Sequence, residues 1–295
     1  MATIRPMTED DLDGVAEQLF ATLADAAARG SWSPFEVNDE VRERTAARLR
    51  YQLSTDPGGC WVADAGGGTI AGHTIALRRG HLWGLAMLHV LPSEQSKGTG
   101  RRLLAAALGY GRDAEAGIIT SSEDPRAMRL YAMAGFSLRP AVEASGAVHR
   151  PSLRDAPDVR SGSEDDLALT VEVDEVIRGV PHGEGGRDIA EMMRTGGALL
   201  GVMSTDVGQG YVVTRDGHIA LLAATTPAAA QQLLWYGLTL AAEHDDASIY
   251  GLTGAQQWAI EVAYAAGLTV KPGGPVLTKG RVGPLTPYIP SGQYL

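Results

Sequence analysis

The sequence of 295 residues contains a single cysteine, Cys60, so no disulfide can form within the chain. The histidines do not cluster with it or with one another in the spacing of a zinc site, and no metal is expected. A lone thiol is typical of a reducing compartment, and we expect a cytoplasmic protein. No apolar run reaches the about 18 residues that a membrane helix needs, and the first residues lack a signal-peptide pattern. Membrane association is therefore not expected.

Positive charge is also scarce. The chain has 25 basic and 35 acidic residues, a net charge of −10, which argues against nucleic acid as a partner. A hydrophobic content of 44% is enough for full cores, and the length suits two domains of ordinary size.

The two common glycine-rich phosphate motifs, G-x-G-x-x-G and G-x-x-x-x-G-K-[ST], are both missing. Residues 88–110 instead predict an apolar strand that stops at Pro92, a polar turn and an amphipathic helix. Gly98 and Gly100 allow close approach to the backbone, and a helix start leaves several amide groups unpaired. Together with the helix dipole and the nearby basic residues Lys97, Arg101 and Arg102, they predict a site for a pyrophosphate.

Two stretches then resemble motifs of the GNAT superfamily of N-acetyltransferases. Gln95-Ser96-Lys97-Gly98-Thr99-Gly100 is similar to its Q/R-x-x-G-x-G/A motif, and Leu130-Tyr131-Ala132-Met133-Ala134-Gly135-Phe136 to its L-Y-x-x-x-G-F. The resemblance implies acetyl-CoA as the acyl donor and Tyr131 as the acid that protonates the departing thiolate. It implies the following cofactor-binding residues: Leu88, His89, Val90, Gln95, Ser96, Lys97, Gly98, Thr99, Gly100, Arg101, Asp124 and Tyr131. The competing interpretation is an ordinary strand–turn–helix with chance glycines and a tyrosine that only anchors the core.

The resemblance covers residues 1–150, and the pattern then recurs. After an expected linker at 151–156, residues 157–295 repeat the order of strands and helices, and 158–167 echo 4–12. We therefore expect an α/β (α+β) protein of two tandem GNAT folds, similar to an actinobacterial type, each a mixed, mostly antiparallel sheet flanked by helices. The second copy has Ala223-Ala224-Thr225-Thr226-Pro227 where the first has its glycine turn. We expect it to bind no CoA and to serve in shaping the acceptor pocket or in forming a homodimer.

The group that takes a proton from the acceptor is not evident. Many members of the family carry a glutamate on the strand before the CoA turn, and this strand has none. The candidates are His81, His89, Glu123, Asp124 and the carboxylate of Leu295, although His89 is expected to face away from the ligand. Asp124 stands where many relatives have an asparagine that touches the pantetheine arm.

The last thirteen residues, 283–295, are too rich in proline for a helix and too apolar for a disordered tail. We expect them to lie against a surface, that of the first domain, and we name Leu295 as a second catalytic residue. The alternative is a tail that only docks the two domains together.

The expected activity is direct acetyl transfer from acetyl-CoA to the primary amine of a small molecule. Three alternatives stay open: a longer acyl-CoA, an oxygen acceptor, or a regulatory module that binds acyl-CoA without turnover. The sequence does not identify the acceptor.

Overall fold

A computed structural model describes residues 2–29 and 36–294. The first half of the chain contains the following elements: β1 (Thr3–Pro6), α1 (Leu12–Ala28), α2 (Asp39–Thr55), β2 (Cys60–Asp64), β3 (Ile70–Arg79), β4 (Leu82–Val90), α3 (Thr99–Tyr110), β5 (Ala116–Thr120), α4 (Pro125–Met133) and β6 (Ser137–Gly146). The second half contains these: β7 (Arg160–Ser161), α5 (Leu167–Ile177), α6 (Arg187–Gly196), β8 (Leu199–Thr205), β9 (Gly208–Arg215), β10 (His218–Ala224), α7 (Pro227–Ala241), β11 (Ala247–Thr253), α8 (Gln257–Ala265), β12 (Thr269–Gly280) and β13 (Tyr288–Ile289). None of the helices in these ranges combines the length and the apolar character needed to cross a bilayer.

The expected repeat is confirmed: β1 to β6 and β7 to β12 follow the same order of strands and helices. The echo that the sequence shows at the start of each copy is also a repeat of contacts. The guanidinium of Arg5 binds the carboxylate of Asp11 at 2.7 Å, and Arg160 binds Asp166 in the same way. Both carboxylates also accept a hydrogen bond from the residue that caps the first turn, Thr8 or Ser163. The α/β fold class, mixed and mostly antiparallel, is confirmed with it.

The two copies share one sheet, and each contributes its last strand to the other copy. The strand order is β1-β2-β3-β4-β5-β12-β6-β11-β10-β9-β8-β7, with β13 beside β10. When equivalent strands of the two copies are matched, this order is a palindrome about the β12–β6 pair. The sheet therefore does not divide at 151–156, where the chain passes from one copy to the other.

Strand β12 is not evident in the sequence because its middle reads Pro272-Gly273-Gly274-Pro275. A shift in its register against β6 between Gly273 and Val276 accommodates the prolines, which cannot donate to a ladder. Gly274 lies against the end of β5, where an added Cβ would come within 1.8 Å of the Ser121 carbonyl oxygen. Partners on both sides, rather than strand propensity, thus fix this segment.

Helices cover both faces of the first half of the sheet. Alternate strand residues decide the face: Ile75 and Met87 pack with α1 and α2, whereas Trp83 and Leu85 pack with α3 and α4. The site described below lies between these two layers, where the sheet itself opens.

Candidate active site

Strands β4 and β5 diverge at their carboxyl ends. Their parallel pairing runs from Leu82 opposite Ala116 to Leu85 opposite Ile119 and goes no further. At that point β4 carries one extra residue relative to β3, a bulge at Ala86. Beyond the bulge β4 is paired only with β3, so its last residues have a free edge toward β5.

The free edge presents backbone groups of Leu88 and Val90. In an antiparallel ladder, successive residues direct their N–H and C=O groups alternately to one side and the other. The Leu91 amide donates to the Ala71 carbonyl at 2.9 Å, on the β3 side, so His89 also faces β3 with its backbone. The amides of Leu88 and Val90 consequently point into the gap, where an extended chain could add as a further strand. The backbone groups of β4 that face β3 are already hydrogen-bonded to it, so the open side of the strand is the one toward β5.

The turn after β4 leads to a helix start that no side chain caps. Ser96 and Gly98 have φ of 62° and +81°, left-handed values that bring the chain round to begin α3 at Thr99. No side chain accepts from the first-turn amides, which are the ones that lack partners within any helix. Lys97 and Arg101 are exposed beside them. The predicted anion site is thus formed by backbone donors with a basic fringe.

Gln95 and Arg126 hold this turn against α4. The Gln95 amide donates to the Val90 carbonyl at 3.0 Å and its oxygen accepts from Arg126 Nη1 at 2.7 Å. Lys97 forms an exposed ion pair with Glu94 at 3.0 Å. Arg126 was not among the predicted site residues. The sequence signal that could identify it is a basic residue in the first turn of α4, the helix that follows β5.

His89 lies on the free strand but its ring is on the opposite face from Leu88 and Val90. Those two pack toward Leu103 of α3, whereas the His89 ring stacks on His73 at 5.4 Å on the α1–α2 side. Burial, followed by the charge of Arg48, lowers the pKa of His89 to about 4. The expectation that this side chain faces away from the CoA turn agrees with the placement of its ring.

Tyr131 lies where β4 and β5 part. It is 6% exposed and packs in the same cluster as Leu85 and Ile119, the last paired residues of the two strands. Burial, and then the nearby Asp124 carboxylate, raises the pKa of Tyr131 above its ordinary value, so the phenol stays protonated. No described residue accepts a hydrogen bond from its hydroxyl.

The remaining predicted residues have other partners or lie elsewhere. Asp124 caps α4 by accepting from the Arg126 amide at 2.8 Å and pairs with its guanidinium, which lowers the pKa of the carboxyl. Among the candidate bases, His81 precedes β4 at the end of that strand away from the gap, and Glu123 is exposed. Leu295 lies outside the described residues.

The equivalent gap in the second half is filled by the chain itself. Strands β10 and β11 are paired only at His218 and Ile219, and β13 then lies along β10 with Ile289 opposite Leu222. The Ala224 amide donates to the Pro287 carbonyl at 3.2 Å. The next helix, α7, is closed as well, because Thr226 caps it by accepting from the Ala229 amide at 3.1 Å. At this place in the second half, therefore, β10 has no free edge toward β11 and α7 has no open start.

The expected docking of the tail on the first domain is therefore corrected for β13, whose apolar residues complete the sheet of the second half. The last described residues do reach the first half. The Gln293 carbonyl accepts from Gln52 Nε2 at 2.8 Å, and the ring of Tyr294 lies 6.2 Å from that of Tyr51 on α2. These residues end near the gap between β4 and β5, because an added Cβ at Gly292 would lie 3.0 Å from Thr120 Oγ1.

Comparison with known proteins gives one family and one architecture. Residues 14–136 match the model of the acetyltransferase (GNAT) family. No curated protein matches the sequence. A candidate acetyltransferase from Pyrococcus horikoshii has a similar structure, with a TM-score of 0.76 at 18% identity over 99% of this chain and 95% of that one. A GCN5-related N-acetyltransferase from Sphaerobacter thermophilus has a TM-score of 0.59 at 17% identity, covering 94% and 95%. A tandem GNAT protein from the clavulanic acid biosynthesis pathway has a TM-score of 0.59 at 15% identity, covering 95% and 98%. At these identities the structures establish a shared fold over the full length of the chain.

Proposed function

Since residues 14–136 form a domain of the GNAT acetyltransferase family, whose acyl donor is acetyl-CoA, we propose that the protein transfers acetyl to the primary amine of a small molecule. The observation that carries this proposal is the free edge of β4 beside an uncapped helix start. The two features together suit a ligand with an extended arm and a pyrophosphate. They occur together at the end of β4, in the half that matches the family, and not at the equivalent end of β10.

The pyrophosphate is assigned to the amides at the start of α3, with Lys97 and Arg101 beside them. The fit is supported by Gly98, whose left-handed backbone excludes most side chains, and by Gly100, which adds none on the first turn. The amides of Leu88 and Val90 are assigned to the pantetheine arm and to the thioester oxygen, where a positioned donor stabilises developing negative charge.

Tyr131 is assigned the role of general acid. A thiolate leaving group needs a proton, and a buried phenol with a raised pKa still carries one at neutral pH. Its place beside the last paired residues of β4 and β5 puts it at the inner end of the gap. Asp124, which is paired with Arg126, is assigned to the wall of the same site rather than to proton transfer.

The second half is assigned a structural role in this reaction. Strand β13 of this half lies at the position that the donor would occupy in the first half. Other residues of this half, at the end of α6 and the end of β9, face α2. We propose that it shapes the acceptor side of the site and binds no CoA.

The test is release of free CoA thiol by the full-length protein, measured with acetyl-CoA and a library of small primary amines. Acetyl-CoA-dependent thiol release with named amines, abolished when the amine is omitted, is the expected result. Turnover only with a longer acyl-CoA or only with alcohols would replace the proposed substrates. Tight CoA binding without turnover on any acceptor would instead indicate a regulatory module.

A further inference from the structure

A polar cavity of about 140 Å³ lies between the two halves of the molecule. Arg48 of α2 contributes one wall and Arg215, the last residue of β9, another. Tyr294 from the tail lines the same cavity. Residues from three distant parts of the chain therefore surround one small volume that neither the motifs nor the assigned reaction groups use.

The cavity contains positive charge that the described residues do not neutralise. A third arginine on its wall, Arg44, is paired with Asp216 at 2.8 Å. Neither Arg48 nor Arg215 has a described acidic side chain within 4.0 Å, and Arg48 Nε is buried without a hydrogen-bond partner. Burial raises the pKa of Tyr294 to about 12, so this phenol stays neutral and supplies no counter-charge.

The pKa values of both arginines are lowered, as expected for cations that are removed from water without a counter-charge. Burial, with the charge of Arg215 acting in the same direction, lowers the pKa of Arg48 to about 10. Burial and then Arg44 lower the pKa of Arg215. Guanidinium groups held close together and away from water destabilise the fold unless an anion joins them.

The internal repeat supplies a comparison within the same molecule. Arg79 ends β3 at the hairpin position that Arg215 occupies at the end of β9, each pairing across a two-residue turn with the first residue of the next strand. Arg79 is buried and neutralised by Asp56 at 2.9 Å and by Asp188 of the other half at 2.6 Å. In the first copy the arginine is thus neutralised within an ion cluster, whereas Arg215 lines a cavity whose one described carboxylate, that of Asp216, pairs with Arg44.

The tail connects the cavity with the end of β5, where the gap of the proposed reaction begins. Arg48 is near enough to the ring of His89, on the free end of β4, to contribute to its lowered pKa. The tail that ends at Tyr294 first passes Thr120, the last residue of β5. The cavity therefore lies on the α2 side of the sheet, two residues along the tail from the contact of Gly292 with the end of β5.

We propose that Arg48 and Arg215 bind a carboxylate of the acceptor, which makes the substrate a small amine that also carries a carboxylate. Arginine suits this role because its planar fork of donors matches the two oxygens of a carboxylate. We call the cavity lined by Arg48 and Arg215 the arginine cavity. A carboxylate bound there fixes the end of the acceptor that is remote from its amine. This inference rests on the proposed function for its role in substrate choice, but the anion site itself can be tested without turnover.

The activity experiment compares acceptor amines that differ only in charge. Each amino acid or amino-alkanoic acid is assayed against its carboxamide. Arg48→Met and Arg215→Met are expected to raise the KM of the carboxylate amines by about tenfold to a hundredfold, the effect of losing a charged hydrogen bond. The KM for acetyl-CoA should stay unchanged, and the corresponding lysine variants should recover part of the loss. Arg50→Met, an exposed arginine on the same helix, is the matched control and should behave as the wild type. A protein that acetylates carboxamides as readily as acids, with no difference in the two methionine variants, contradicts the proposal.

The binding experiment separates this inference from the proposed function. Melting temperatures are measured in sodium acetate and in sodium chloride at equal ionic strength. The wild type and Arg50→Met should be stabilised by acetate relative to chloride, and the Arg48→Met/Arg215→Met double variant should not. This result supports the anion site even if no amine is acetylated. Equal responses of wild type and double variant would refute it. So would an acetate response that appears only after removal of Leu295, because the chain's own carboxylate would then be the natural occupant.

Discussion

Replacing Gly100 by valine should weaken CoA binding without weakening the fold. A Cβ at this position would lie 3.7 Å from Val90 Cγ2 and 3.8 Å from Leu130 Cδ2, both ordinary contacts, and Gly100 has no left-handed φ. We therefore expect the free energy of unfolding to stay within about 0.5 kcal/mol of wild type, since glycine is itself a poor helix former. The added methyl groups would stand over the amides at the start of α3. Lost hydrogen bonds and steric exclusion should cost about 2 kcal/mol or more, which raises the Kd for CoA about thirtyfold.

The assay is calorimetric titration of the full-length chain with CoA, together with urea unfolding of each variant. Gly109→Val is the matched control, because Gly109 lies in the same helix with open space around an added Cβ. Gly98→Val is a poorer probe, since its φ of +81° adds backbone strain of about 1–2 kcal/mol to any effect on binding. An unchanged Kd in a folded Gly100→Val protein would refute the assignment of this helix start to the pyrophosphate.

Four further outcomes are expected. Tyr131→Phe should lower kcat by about a hundredfold, as for a lost general acid, with little change in the Kd for CoA, and full activity would leave this tyrosine a packing residue. Titration of the intact chain should stop at one CoA per subunit because β13 fills the second gap, and a stoichiometry of two would contradict that account. Arg79→Met should destabilise the fold by about 3–5 kcal/mol in urea unfolding because it strands two buried carboxylates, whereas Arg215→Met should not, and equal losses would refute the contrast. A short Gly-Ser extension after Leu295 should lower kcat if that carboxylate acts on the acceptor, and an unchanged kcat would exclude the role.

Each copy contributes its last strand to the sheet of the other copy, so fragments of the chain are unsuitable for these measurements. Strand β6 lies between β12 and β11 of the second half, and β12 lies between β5 and β6. A fragment cut at 151–156 would lose a central neighbour from each sheet and expose unpaired edges. Experiments on binding stoichiometry therefore belong on the intact chain.

Much of the first half followed from local pattern. The turn of residues 95–100 and the sequence from Leu130 to Phe136 indicate a particular family. The functional groups of such motifs lie on neighbouring residues: the glycines permit the turn, and the start of the helix exposes backbone amides. The repeat was also visible, since Arg5 with Asp11 and Arg160 with Asp166 are six residues apart in both copies. Local contacts of this kind are encoded within a few residues, and a sequence pattern is enough to find them.

What only the tertiary structure decided depends on partners far apart in the chain. Strand β12 exists because β5 and β6 pair with a segment whose own composition disfavours a strand. The tail fills the second gap because β10 offers a free ladder there, which no count of prolines near Tyr288 and Ile289 reveals. The arginine cavity is the strongest case: more than half the chain separates Arg48 from Arg215 and from Tyr294. The sequence by itself predicts where the donor would bind, since the assigned site is made of consecutive backbone amides. The fold alone decided which residues line the cavity proposed for the acceptor, since that surface is assembled from both halves and the tail.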